Sequence, residues 1–282
     1  MRAPSLARQL AVHALLVVVS AAVLYPALWV FKMALSPGQA FSMSLSPFPE
    51  AVSLEHFRAV LGTRDAQGGW LFGRQLWNSL VVSGLTTALG IALSTSAAYA
   101  FSRFSFPGRE AGLRAFLVTQ MFPGVVMAIP LYLLLDRLHL LNSVVGLVLV
   151  YATTSVPFCV FMLKGYFDTI PKDLEEAARI DGATQWQIFR RVVLPLAKPA
   201  IAITALFSFM TAWNEFILAA TFLSSERAYT LPVVLQSYVG DYSTRWGAFA
   251  AGSILVSVPV MLLFYVLQRH LVGGLTAGGV KG

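Results

Sequence analysis

Six long apolar runs set the terms for this chain. An α-helix rises about 1.5 Å per residue and needs about 20 apolar residues to cross a hydrocarbon layer about 30 Å thick. Segments of that length run from Leu10 to Leu35, Leu76 to Phe101, Leu113 to Leu135, Val144 to Leu163, Pro199 to Leu223 and Trp246 to Leu267. Each is apolar nearly all round rather than along one stripe, as a helix surrounded by lipid and other helices must be. Hydrophobic residues make up 57% of the 282 and charged ones 12%, at a mean hydropathy of +0.71, more apolar surface than a water-soluble core could hide. The expectation is an all-α polytopic membrane protein of six transmembrane helices, a single membrane domain over residues 1–282. Small residues at close spacing, Gly84, Ala88 and Ala92, or Ala248, Ala251 and Gly252, are either faces of close helix approach or filler.

The net charge of +7 does not mark a nucleic-acid binder, because the Lys and Arg residues fall in gaps between apolar runs rather than in aromatic-interleaved clusters. They mark orientation instead. Arg2, Arg8, Arg103, Arg109, Arg114, Lys164, Lys172, Arg179, Arg190, Arg191, Lys198, Arg269 and Lys281 share a side with both termini, against Lys32, Arg58, Arg64, Arg74, Arg137, Arg227 and Arg245 on the other. Positive residues gather on the cytoplasmic side, so both termini are expected there. Arg2, Arg8 and the run from Leu10 imitate a cleavable leader, but apolar sequence continues through Trp29 to Leu35 and favours an uncleaved first span. Cys159 is the only cysteine and the four histidines lie far apart, so neither a disulfide nor a metal site is expected. The outer connection over residues 36–75 is rich in Gly and Pro and reads as turns.

Residues 164–198 break the pattern with mixed charge. Pro171 suits a first helical turn, and Lys172 to Ile180 (KDLEEAARI) are good helix formers, ended by Asp181 and Gly182. Thr184 and Gln187 have capping-box spacing, so a second helix is predicted from Thr184 through Trp186, Ile188 and Phe189 towards Val193, stopped by Pro195 and Pro199. Leu174, Ala177, Ala178, Ile180, Trp186, Ile188 and Phe189 form an expected apolar patch. Such a helical pair either docks a partner or rests on lipid headgroups.

The run Glu176, Ala177, Ala178, then Gly182, then Val192, Leu194 and Pro195 resembles the EAA signature of bacterial ATP-binding-cassette (ABC) importer permeases, with valine where isoleucine is usual. The wider stretch from Glu175 to Leu196 is similar to the carbohydrate-uptake subset. Ala212 to Leu218 (AWNEFIL) is similar to a run of sugar permeases, and Gln268 to Gly282 to the end of the maltose-type branch. The resemblance implies a type I ABC importer permease fold, with residues 164–198 as a cytoplasmic coupling loop and 268–282 as a cytoplasmic tail. It implies an ATPase-coupling set of Glu175, Glu176, Ala177, Ala178, Asp181, Gly182, Leu194 and Pro195, with Glu176 as the charged contact and Gly182 as the turn. It also implies tail contacts to the ATPase by Gly273, Gly274 and Lys281, unless the glycine-rich end is merely frayed.

The implied partners are a MalF-like permease subunit, a homodimer of cytoplasmic ABC ATPases, a periplasmic or lipid-anchored sugar-binding protein, and membrane lipid. No cofactor is implied in this chain. ATP and Mg belong to the ATPase, and no phosphate-binding loop occurs here. In the loop from Ser224 to Arg245, the resemblance makes Tyr229, Tyr238 and Tyr242 receptor-contact candidates, against the reading of aromatic residues as interface anchors.

Glu215 is the only acidic residue expected within a span, roughly 24 Å along it from Pro199, beside Trp213 and Asn214. These three are translocation-path candidates; Glu215 serves function, pairs with a neighbouring helix or reaches outer water, or contacts sugar. A rival reading makes Glu215 the ion site of a secondary transporter, which requires discontinuous helices and repeated halves that the sequence does not display. A membrane enzyme requires more converging polar residues than these spans hold. Maltose or maltodextrin is the expected cargo, with another oligosaccharide such as trehalose as the alternative.

Overall fold

The computed structural model describes residues 6–39, 41, 44–240 and 244–278, with side chains described as far as residue 268. In chain order the helices are α1 (Leu6–Leu35), α2 (Glu55–Leu61), α3 (Leu71–Arg103), α4 (Arg109–Met121), α5 (Gly124–Arg137), α6 (Val144–Thr169), α7 (Asp173–Ile180) and α8 (Gln185–Ile188). After a π-helical turn, Phe189–Val193, follow α9 (Leu194–Leu196), α10 (Lys198–Asn214), α11 (Ile217–Phe222), α12 (Leu231–Ser237) and α13 (Trp246–Gly278). No strand occurs among the described residues, only isolated bridges Arg64–Trp70 and Val239–Thr244.

Four helices are long and apolar enough to cross a membrane unbroken: α1, α3, α6 and α13 as far as Gln268. The other two expected spans differ from the prediction. The third is broken into α4 and α5, bent by 100°. Phe122 is held extended (φ −79°, ψ 124°) ahead of Pro123, because a proline ring excludes the helical conformation from the residue before it. Proline alone does not break a helix here, since Pro130, Pro157 and Pro259 lie inside α5, α6 and α13. At the α4–α5 break Pro123 is followed by Gly124, and the pair separates the segments. The fifth span also fails to run continuously: α10 ends at Asn214 and α11 begins two residues beyond Glu215.

The chain forms two compact units. In the first (residues up to 73, with 234–258), Met33 and Ala34 at the end of α1 pack on Ala250 and Ala251 of α13, with Val30, Phe57 and Ile254 around them. Phe41 sits edge-on to both Trp29 and Trp246, at 5.0 and 5.1 Å. Described residues of the connection between α1 and α3 are tied down more than turn-rich composition predicts. Buried Lys32 donates to the Ser44 and Ser46 carbonyls at 3.0 and 2.7 Å. Buried His56 of α2 lies 2.9 Å from the Ser36 carbonyl and 3.2 Å from Gln39 Nε2, against the bare Cα of Gly247, where a Cβ would overlap its ring.

In the second unit (residues 74–233, and onward from 259), α3, α6 and α10 share two apolar clusters. One gathers Val82, Leu147, Tyr151, Ala212, Leu218 and Phe222; the other Tyr99, Val160, Leu163, Phe167, Ile188 and Val193. Between them small residues meet. A Cβ on Gly90 would lie 3.5 Å from both Ser155 Oγ and Ser208 Oγ, and Ser94 donates to the Val156 carbonyl at 3.3 Å. This close approach is the one expected of small residues, but on a different face: Gly84, Ala88 and Ala92 point outward.

Candidate functional site

Local sequence builds the surface helices between α6 and α10. Helix α7 ends in a Schellman turn: Gly182 N–H donates to Arg179 O at 3.1 Å and Ala183 N–H to Ala178 O at 3.0 Å. Gly182 takes φ +84°, left-handed backbone that residues with a Cβ resist, and a Cβ there would meet nothing within 4 Å. Its requirement is conformational rather than steric. Helix α8 then starts on the predicted capping box: Thr184 Oγ1 accepts from Gln187 N at 3.3 Å, and Gln187 Oε1 from Thr184 N at 2.8 Å.

The predicted stop at Pro195 and Pro199 falls at Ala197, between the two prolines. The chain widens into the π-helical turn Phe189–Val193, continues as α9, and bends by 76° at Ala197 into α10. A π turn accommodates a residue that lacks its own N–H donor and crowds the preceding carbonyls. The bend sits between Pro195 and Pro199.

The faces divide more sharply than the pattern alone predicts. Ile188 and Phe189, expected in the outward patch, are buried in the chain's own core. Leu174, Ile180 and Trp186 stay exposed, Ile180 at 86%. Glu176, Ala177, Asp181, Gly182 and Pro195 are exposed, with Ala178 and Leu194 half-buried. Glu175 turns the other way and is 5% exposed. Its carboxylate pairs with Arg103 Nε at 2.5 Å and accepts from Tyr99 OH at 3.0 Å, both on α3.

A longer polar chain extends from this pair. Arg103 donates to the Ile170 carbonyl at 2.9 Å and to Ser102 Oγ at 3.0 Å; Ser102 donates to Asp168 at 2.6 Å, and Asp168 pairs with Lys164 at 2.6 Å. Gln185 of α8 donates to the Tyr99 hydroxyl and accepts from Arg179 at 3.2 Å. Sequence reasoning missed Arg103, Tyr99 and Gln185. Its only trace of them was the acidic doublet Glu175–Glu176, whose neighbours on a helix point about 100° apart, so one faces in when the other faces out.

Thr184→Ala is expected to cost about 1 kcal/mol of local stability. Trypsin cleavage at the exposed Arg190 and Arg191 should then quicken by a factor of about 5 if the capped helix controls local opening.

The path candidates separate. Trp213 is 1% exposed and stacks on Phe209 at 5.5 Å, whereas Asn214 is exposed and donates to the Met210 carbonyl. Glu215 is not inside a continuous span but at the break after α10. Its carboxylate accepts from Leu218 N at 2.9 Å, from Ala219 N at 3.1 Å and from Tyr151 OH of α6 at 2.7 Å. The acid thus caps α11, supplying acceptors to amides that have no intrahelical partner.

Among the receptor-contact candidates, Tyr229 is half-buried against an apolar cluster. Tyr238 is buried beneath Arg245, whose guanidinium lies 5.1 Å from the ring centre, and burial pushes its hydroxyl above the ordinary tyrosine pKa. Tyr242 and Lys281 lie outside the described residues; Gly273 and Gly274 fall in the backbone of α13.

Residues 90–276 match the family described as binding-protein-dependent transport system inner membrane component. The maltose/maltodextrin transport system permease protein MalG of Salmonella typhimurium is 40% identical, covering 98% of this chain and 96% of that protein. MalG of Escherichia coli is likewise 40% identical, over 98% and 97%. In fold, the chain is similar to a solved chain from a bacterial ABC transporter involved in the import of the acidic polysaccharide alginate. That match has a TM-score of 0.79 at 24% identity, covering 95% of this chain and 99% of that one.

Proposed function

The chain belongs to the family of binding-protein-dependent transport system inner membrane components, and from that premise we propose that it is a permease subunit of an ATP-driven maltose/maltodextrin importer. It is a multi-pass inner-membrane transport subunit, not an enzyme. In this reading residues 1–282 act as one permease domain forming half of the pathway, with both termini cytoplasmic. Its partners are a MalF-like second permease, a homodimer of ABC ATPases carrying ATP and Mg, and a periplasmic or lipid-anchored sugar-binding protein.

The observation that carries this reading is the surface pair α7–α8. The hydrophobic effect would ordinarily draw Leu174, Ile180 and Trp186 inward, yet here they are exposed on short helices held by a Schellman turn and a capping box. A rigid, half-apolar projection suits a cleft in a moving partner better than a flexible linker does, because packed elements transmit displacement as rigid bodies. In this role Glu176, Ala177, Ala178, Asp181 and Gly182 meet the ATPase, and Leu194 and Pro195 set the angle into α10.

The break at Phe122–Pro123 is a feature that ion-coupled carriers also use. Glu215 gives that rival little support, since its carboxylate already serves two amides and a tyrosine.

The test is reconstitution in liposomes with the second permease, the ATPase and the sugar-binding protein. The expected result is maltodextrin uptake that needs ATP and the binding protein and is unaffected by a protonophore. Uptake that follows an ion gradient without ATP overturns the reading.

A further inference from the structure

We propose that Arg103 and Glu175 form the joint that carries displacement of the surface helices into α3, so that the two acids of the Glu175–Glu176 doublet have opposite duties. Glu176 faces the motor subunit, and Glu175 grips the permease's own membrane helix. This inference rests on the coupling reading above and deepens it by naming the transmitting contact.

Helix α7 has eight residues, too few to hold helical form in water unaided, so its position depends on tertiary contacts. Of its side chains only Glu175 is buried, which makes that carboxylate the principal anchor of the helix. The anchor is an ion in a largely dry setting: the Glu175 and Arg103 side chains are each 6% exposed. A buried pair tolerates little separation, because moving either partner leaves the other charge uncompensated. The contact is therefore stiff, where an apolar contact of equal area would slide.

Arg103 is also the last residue of α3. Its guanidinium reaches the Ile170 carbonyl just beyond α6, and through Ser102 it reaches Asp168, which Lys164 balances. Charges alternate along this line from Lys164 to Glu175, so the cytoplasmic ends of α3 and α6 and the surface helix behave as one body. Tyr99 and Gln185 extend the same body to α8.

The experiment uses the intact transporter in liposomes with its sugar-binding protein, comparing wild type, Glu175→Gln and the doubly neutral Arg103→Met/Glu175→Met variant. Glu175→Gln is expected to cut uptake about ten-fold and to raise ATP consumed per sugar about three-fold or more, since it strands the buried guanidinium. The double variant removes both charges and should recover assembly to within about two-fold of wild type, while ATP per sugar stays raised. Recovery of assembly and of ATP per sugar together overturns the joint, because the pair would then be only structural. So does wild-type uptake by Glu175→Gln.

A second measurement stands apart from assembly of the variants. Spin labels on cysteines at exposed Ser105 and Lys172, in wild type otherwise, report the distance from the α3 end to the surface helix; native Cys159 is buried. That distance should stay constant within about 2 Å between nucleotide-free and vanadate-trapped transporter, and a shift of about 5 Å, one helical turn, overturns the joint. Absence of ATP-driven uptake in wild type overturns the permease reading itself; the other adverse outcomes overturn only the joint.

Discussion

Valine at position 182 is expected to reduce sugar uptake by the assembled transporter about ten-fold or more, because a β-branched residue at φ +84° is strained by about 1–3 kcal/mol. The strain falls on the turn whose two hydrogen bonds, from Gly182 and Ala183, close helix α7. An eight-residue helix with one buried side chain has little stability to spare. Since about 1.4 kcal/mol is a factor of ten in population, strain of this size removes the docking-competent form from most molecules. Asparagine visits the left-handed region more readily, so Gly182→Asn should retain uptake within about three-fold of wild type. No neighbour lies within 4 Å of the missing Cβ, so the ordering Gly, Asn, Val reads backbone conformation directly. Equal failure of Asn and Val would instead mean that a partner packs against the bare Cα. The measurement is binding-protein-dependent uptake at matched transporter content.

The second large effect is expected at Glu215. Glu215→Ala leaves the Leu218 and Ala219 amides and the Tyr151 hydroxyl without their shared acceptor. Breaking part-buried hydrogen bonds to a charged group costs about 1.5–3 kcal/mol each at most, and the three are not additive. The expected result is a transporter that purifies in low yield with a markedly lower thermal midpoint, and uptake reduced in proportion to the protein recovered. Glu215→Gln keeps the shape but turns an NH2 towards one of the donors, so it should fall between wild type and alanine. Tyr151→Phe removes one donor with its need for an acceptor and should cost only about 1 kcal/mol. A proton-coupled carrier predicts otherwise: Glu215→Gln would fold and assemble normally and transport nothing. Normal assembly with complete loss of uptake would therefore overturn the capping role.

The two sites differ in how much of them could be read beforehand. At residues 164–198 the turn at Gly182 and the capping box of Thr184 and Gln187 are set by partners three to five residues apart. Such contacts are written into spacing, and they appear as predicted. Burial within the same segment is not: the pattern places Ile188 and Phe189 in an outward patch and the resemblance puts Glu175 among the coupling residues, yet all three turn in. Glu215 stands out in the sequence as an acid among apolar residues, but the apolar run predicts continuous helix around it where the structure has a break. Nothing in AWNEFIL signals a break of the kind that Pro123 with Gly124 signals between α4 and α5. The break after α10 forms where the carboxylate captures the free amides of α11 while Tyr151 holds it from α6.

The sequence by itself determined that this chain lives in a membrane, where its six apolar stretches lie, and how its surface turn is capped. Those outcomes follow from apolar content summed over about 20 residues and from hydrogen bonds spanning a single turn. Only the tertiary structure decided which acid of the doublet faces inward, which spans are broken, and which aromatic residues remain at the surface. The physical reason is distance along the chain. Arg103 lies 72 residues from Glu175, and Tyr151 lies 64 from Glu215. A buried charge takes its direction from whichever opposite charge or donor the fold brings to it, and local pattern carries no record of that partner.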